Sequence, residues 1–233
     1  MKNQYNKEIS VVIPCRNEAR TIKVCIEKVK RCFFRQGYYG EVIVVDNGSH
    51  DDSAQIAQES GAKVVRQQTR GYGAALLKGL SAAQGEYIVI GDADDSYDFL
   101  DIHRFVDKLK QGYDFVLGTR LKGKIEPGAM PLLHQYIGNP FLTSILNLFH
   151  KAGVSDAHCG MRALTREAFE QLELKSSGME FASEMIIEAV QKNLRITEIP
   201  IILSPSYPGR PSHLRPLPDG LRHLRLIVLA AIK

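Results

Sequence analysis

Residues 85–99, GEYIVIGDADDSYDF, constrain this chain more than any other stretch. The apolar run Tyr87–Ile90 ends at Gly91 and is followed at once by Asp92, Asp94 and Asp95. A short apolar run closed by a turn signal reads as a strand buried on both faces, as in a parallel sheet. Open α/β sheets bind their ligands at the carboxyl ends of such strands. Carboxylates crowded at that end repel one another unless something neutralises them. A hard divalent cation held by oxygen does so, and it also bridges to a diphosphate. The competing reading is a solvated acidic turn whose Asx residue caps the next helix.

The same pattern recurs upstream. Ile9–Ile13 form a first strand, stopped by Pro14, and CRNEA leads into a helix with Ile22, Cys25, Ile26, Val29, Cys32 and Phe33 on one face. Val42–Val45 form a second strand ending in Asp46, with Ser49 or Asp51 placed to cap a helix through about Glu59. AKVVRQ is a third strand, and RGYGAALLKGLSAAQ is a Gly-rich turn and helix from about Gly71 to Ala83. A helix over Asp98–Gln111 and a fifth strand, YDFVLGTR, ending at Gly118 and Arg120, complete the series. Strands alternating with helices predict an α/β fold with a mainly parallel sheet and helices on both faces. Polar residues gather where strands end (Asn17 and Glu18, Asp46 and Asn47, Asp92–Asp95, Arg120), which predicts a ligand crevice at that edge. If Asp92-Ala93-Asp94 stays extended, alternation points Asp92 and Asp94 the same way and Asp95 elsewhere.

The second half is organised differently. Leu132, Leu133, Tyr136 and Ile137 precede Gly138-Asn139-Pro140, and Phe141, Leu142, Ile145, Leu146, Leu148 and Phe149 follow. Pro140 disfavours helix at Asn139, so two short helices with a bend are expected. DAHCGMRALTREAF reads as strand-turn-helix and SSGMEFASEMIIEAVQ as a helix. RITEIPIILS is a strand, the proline-rich SPSYPGRPSHLRPLPDG a loop, and DGLRHLRLIVLAAIK a closing helix. Glu184 on an apolar helical face needs a partner if buried, and Arg162 is the expected one. No apolar run approaches the roughly 20 residues that cross a bilayer. The 132–149 segment is either core or a membrane-contacting patch.

Charge separates the halves. The formal net charge of +4 resides in residues 195–233, where six basic residues face two acidic ones; the preceding residues balance. A basic segment of this kind points to phosphates, on a substrate or on anionic lipid heads. No aromatic stripe alternates with the basic residues, so nucleic acid is not the expected partner. The four cysteines show neither a CxxC pair nor zinc spacing and read as buried thiols of an intracellular protein. The polar opening MKNQYNKEIS is not a secretory signal.

SVVIPCRNEARTI, VIVVDNGSHDDS, RGYGAALLKGL and YIVIGDADDSYDF, in that order over residues 9–99, resemble the family 2 glycosyltransferases of GT-A fold. DFVLGTRLKG, EPGAMPLLHQYIGNP, DAHCGMRALTREAF, GMEFASEM and SYPGRPSHLR extend the resemblance to the dolichyl- or polyprenyl-phosphate glucose and mannose synthases. The resemblance implies a single Rossmann-like catalytic domain over residues 1–233. Residues 1–118 would form the nucleotide-sugar half, and 119–233 a C-terminal, membrane-proximal acceptor half. It implies a metal-dependent, inverting enzyme at the cytoplasmic face of a membrane, with Mg²⁺ or Mn²⁺ as cofactor. The hexose would be glucose or mannose, from a UDP or GDP donor, and the acceptor dolichyl or undecaprenyl phosphate; oligomeric state is left open.

By position, Pro14, Arg16, Asn17 and Glu18 match the first nucleotide loop and Asp46 the base-contacting aspartate. Asp92, Ala93 and Asp94 match the DxD motif. There Asp94 is the metal ligand and a catalytic residue, with Asp92 and Asp95 as further candidates. Arg120 and Arg162 match catalytic and acceptor-phosphate positions, joined at the acceptor by His134 and Asn139. Arg210, Ser212 and His213 match the loop over the diphosphate. The chain departs from many of these synthases at Asp95-Ser96, where they carry Leu-Gln, and at His213, where lysine is usual. Gly71 and Gly73 alone are a weak phosphate signal and read as a tight turn. Two rivals remain: a soluble transferase acting on a hydroxyl, needing a carboxylate base for which Glu180 and Asp156 are the candidates, and a non-catalytic nucleotide-sugar-binding protein.

Overall fold

A computed structural model describes residues 7–210 and 214–232. Seven strands form one sheet: β1 (Lys7–Cys15), β2 (Gly40–Asp46), β3 (Lys63–Arg66), β4 (Gly85–Ile90), β5 (Phe115–Ile125), β6 (Arg162–Thr165) and β7 (Ile196–Leu203). Their order is β3-β2-β1-β4-β6-β5-β7. All neighbours are parallel except β6, which runs antiparallel to both β4 and β5. Register sets Cys15 beside Asp46 and Val12 beside Ile90, so the ends of β1, β2 and β4 lie together.

The central strands are apolar throughout because both faces are covered. Val11, Val42, Val44 and Val89 face one layer, built from α1 (Ile22–Gln36), α2 (Ser53–Glu59) and α4 (Ile102–Lys110). Val12, Ile43, Val45, Ile88 and Ile90 face the other. That layer holds α3 (Tyr72–Ala82), α5 (Asn139–His150), α6 (Arg166–Gln171), α7 (Phe181–Gln191) and α8 (Pro216–Ala231). All four cysteines are free and buried.

Two expectations for the second half are corrected. The 132–150 segment does not break at Asn139. It is helical from Leu132, passes through a π turn over His134–Gly138 and continues as α5, with Asn139 itself helical at φ −67°, ψ −46°. Pro140 stands at the start of α5, where a missing N–H costs little, and the wide turn before it makes room for its ring. The 216–218 segment, expected as loop, belongs to the first turn of α8, and Pro216 opens it with its pre-set φ. β5 also runs past Arg120 to Ile125, pairing with β7 across a register shift.

Candidate active site

A crevice of about 1680 Å³ opens at the carboxyl edge of the sheet. Pro14 at the end of β1, Arg16 and Glu18 just after it, Asp92–Asp94 after β4, Arg120 on β5 and the 158–160 loop form its strand-end wall. The 129–142 segment and the start of α8 stand opposite.

The acidic turn is not extended. Ala93 and Asp94 make a turn, and Asp95 is left-handed at φ 60°. Asp92 and Asp94 nevertheless both line the crevice. Asp92 accepts from Tyr72 Oη at 3.2 Å. Burial, then the Asp94 carboxylate, pushes its pKa up to about 6. A Cβ at Gly160 would come within 2.3 Å of Asp92 Oδ2, so glycine there lets the loop seat against the carboxylate. Asp94 has both oxygens engaged. Oδ1 accepts from Ser96 N at 3.1 Å and Ser96 Oγ at 2.6 Å, and Oδ2 from Ser206 Oγ at 3.0 Å. Arg210 Nη1 lies 3.2 Å from the same Oδ2. Arg210 also donates through Nε and Nη2 to Glu18 Oε1, at 2.9 and 2.6 Å. Asp95 is corrected as a metal ligand and as a helix cap. Its carboxylate pairs with Lys28 on α1 at 2.8 Å, and Asp98 caps the following turn through Leu100 N.

The nucleotide-side residues divide. Pro14, Arg16, Glu18 and Ala93 line the crevice; Asn17 and Asp46 do not. Asn17, left-handed at φ 57°, bonds Ser49 Oγ and His50 N, tying the two strand-end loops together. Asp46 Oδ1 accepts from Ser49 N, three residues on, and so holds its own loop. Its neighbour Asn47 is buried and holds the 67–71 loop through Gln67 O, Thr69 O and Gly71 N. Asp51, rather than Ser49, reaches the start of α2, accepting from Ser53 N.

Among the residues expected at the acceptor, Arg120 is buried and gripped by Asp156 through Nε (2.7 Å), Nη2 (2.8 Å) and its own backbone N (3.0 Å). Burial alone would raise the Asp156 pKa, but the Arg120 guanidinium holds it below the usual range. Asp156, one of the two carboxylates expected as a base candidate, is thus committed to Arg120 and does not line the crevice. Arg162, expected as a catalytic and acceptor-phosphate residue, is not among the residues that line the crevice. It lies behind the crevice, and its three nitrogens donate to the carbonyls of Cys159, Ala182 and Ala157. Nor does it pair with Glu184, which accepts from Lys175 N and Ser176 N instead. His134, Asn139 and Glu180 line the crevice. Ser212 and His213 lie outside the described residues.

Several site residues had no motif to announce them. Tyr72 on Asp92 sits in the RGYG turn, Ser206 on Asp94 in the proline-rich loop, and Tyr97 Oη accepts from Gly160 N. His158 in the crevice wall shares Ser183 Oγ (3.5 Å) with His223 Nδ1 (2.8 Å), the two rings edge-on at 4.6 Å. Burial, and then Arg162, pushes His223 down to about 4; burial, His223 and Arg120 hold His158 well below its ordinary value.

Comparison with known proteins agrees with this geometry. The glycosyl transferase family 2 profile matches residues 10–173. The low-salt glycan biosynthesis hexosyltransferase Agl6 of Haloferax volcanii is 46% identical over 224 residues, covering 96% of this chain; the chain spans about half, 54%, of that relative's length. A dolichyl-phosphate hexose transferase of the same organism is 31% identical over 195 residues, 83% of this chain and 82% of that one. Glucosyl-3-phosphoglycerate synthase from Mycobacterium tuberculosis, solved with Mn²⁺, UDP and glucosyl-3-phosphoglycerate, superposes with a TM-score of 0.72 at 23% identity, over 97% of this chain and 78% of that one. The chain belongs to glycosyltransferase family 2 and has the GT-A fold.

Proposed function

We propose that this glycosyltransferase passes glucose or mannose, with inversion, from a UDP or GDP donor to a polyprenyl phosphate. One observation carries the reading: a single crevice joins one buried and one half-buried carboxylate, two arginines and an apolar mouth. Asp92, Asp94, Arg120 and Arg210 lie inside, while Leu133, Ile137, Leu214 and Leu217 line it and stay exposed. An acceptor with an anionic head and an apolar tail fits both ends at once. The relative named dolichyl-phosphate hexose transferase supports the same class.

Among the described residues no cluster of three His, Cys, Asp or Glu is placed to hold a metal. Two neighbouring carboxylates, with the Asp92 pKa pushed up by burial and then by Asp94, still fit Mg²⁺ or Mn²⁺, which are ordinarily held by one or two carboxylates plus substrate phosphates. Asp94 would hold the ion, with Asp92 beside it. Bound there, it offsets charge on the departing diphosphate. The chain's own residues do the rest. Arg210 places a guanidinium at the diphosphate end. Arg120, with Nε and Nη2 fixed by Asp156, presents Nη1 for the acceptor phosphate. A phosphate monoester is already anionic near pH 7, so its oxygen attacks C1 without a base. The C1–O bond to the diphosphate breaks, and its electron pair leaves with that oxygen.

Residues 1–118 then serve the donor and 119–233 the acceptor, within one catalytic domain. No described helix is long and apolar enough to cross a membrane. The exposed apolar side chains of the 132–150 helix and α8 would rest on a cytoplasmic membrane face. The test incubates the chain with labelled UDP- and GDP-hexoses, with polyprenyl phosphate or an oligosaccharide, with and without chelator. Labelled lipid of inverted anomeric configuration, lost on chelation, is expected. Transfer only to the oligosaccharide would overturn the acceptor and turn attention to Glu180 as base.

A further inference from the structure

Asp94 has no lone pair to spare. Ser96 takes Oδ1 twice, and Oδ2 is taken by Ser206 and Arg210. The last two residues belong to one short segment, 204–210, which comes from the end of β7 and crosses the crevice to the donor side. Arg210 is anchored there by a forked contact to Glu18, a carboxylate only 2% exposed that is itself fixed by Glu18 N donating to Ser53 Oγ at 2.8 Å. A guanidinium 3.2 Å from Asp94 supplies the positive charge that the acidic turn requires.

We infer that the 204–210 segment is a latch, in which Arg210 is an internal counter-cation that competes with the metal ion for Asp94. The inference rests on Asp94 being the metal ligand. An incoming ion meets a like charge and two occupied acceptor positions, so the ion alone binds weakly. An ion arriving with a nucleoside diphosphate brings phosphate oxygens that accept the guanidinium in place of Asp94. The segment then changes partner, with Glu18 keeping Arg210 aimed at the donor throughout. The latch thus favours the metal–nucleotide complex over the bare metal and spares an empty site from holding a lone cation.

The two ligand states give opposite signs, which a merely structural role for Arg210 would not. Mn²⁺ is titrated into the wild-type chain, with the free ion followed by its electron paramagnetic resonance signal, first alone and then with UDP or GDP. Arg210→Gln is expected to bind Mn²⁺ alone about tenfold more tightly, the scale on which one opposing charge at contact moves an equilibrium. It is expected to bind Mn²⁺ with nucleotide more weakly than wild type. Arg210→Lys, which keeps the charge, holds Mn²⁺ binding near the wild-type value. Equal or weaker binding of Mn²⁺ alone by Arg210→Gln overturns the latch. If Arg210→Gln gains affinity and the Asp94→Asn/Arg210→Gln double variant keeps that gain, the ion is not at Asp94, and the metal-site reading fails instead.

Discussion

The two walls of the crevice are built on opposite plans. On the strand-end wall, polar groups are buried and tied to one another: Asp92 to Tyr72, Asp94 to Ser96, Ser206 and Arg210, and Arg120 to Asp156. On the helical wall, Leu133 is 64%, Ile137 60% and Leu217 80% exposed, although apolar. A buried ionic network earns its place only when every partner is present, since removing one strands the other without water. Exposed apolar side chains contribute little to folding and gain only when something apolar covers them. The first wall is thus sensitive to single atoms, and the second to what binds it.

The largest expected effect tests the first wall. If Asp94 holds the ion as proposed, Asp94→Asn should lower turnover at least about a hundredfold, the loss of several kcal/mol of transition-state stabilisation. Melting temperature should fall as well, because the amide cannot replace the carboxylate that pairs with Arg210, so turnover is compared at a temperature where both chains are folded. Next, Asp156→Ala strands the Arg120 guanidinium in the interior. Urea unfolding should show a loss of about 3–5 kcal/mol with little change in slope.

The third prediction concerns the histidines behind the wall. A free imidazole takes its proton near 6.5, and in the fold His223 takes it only near 4. Between those values the unfolded chain binds more protons, so stability falls as pH drops from 6.5 and the loss is complete below about 4. The loss is on the order of 3 kcal/mol. His223→Asn keeps a partner for Ser183 and removes one of the two depressed histidines, so the pH dependence of its urea midpoint should become shallower. The smallest effect sharpens the contrast. Ile137→Asn with Leu217→Ser should move stability by only about 0.5 kcal/mol per site. The same pair should raise KM for polyprenyl phosphate about three- to tenfold and leave KM for the donor in place.

The plan of the first wall was legible in the chain because parallel strands run apolar and stop at polar residues. Asp92 and Asp94 stand where that logic puts them. What stayed hidden depended on partners distant in sequence. Asp95 was a plausible ligand until Lys28, from α1, was seen to hold it. Arg162 carries the charge of a phosphate ligand, yet its donors are used by carbonyls that only the folded 157–159 loop and α7 bring within reach. His158, Ser183 and His223 come from three separate segments and share no spacing. The π turn at His134–Gly138 escaped for another reason: local preference at Asn139 opposes helix, and the chain accommodates Pro140 by widening one turn rather than by breaking.

The central claim is that one crevice couples a metal-held diphosphate to an acceptor that is anionic at its head and apolar along its tail. The most direct measurement compares kcat/KM for a polyprenyl phosphate and for the polyprenol of the same chain length, with the same donor and Mn²⁺. The phosphate should accept the hexose and the alcohol should not, because the crevice supplies arginines for an anion and Asp156 is locked to Arg120 rather than free to take a proton. Comparable rates with the alcohol would contradict the account.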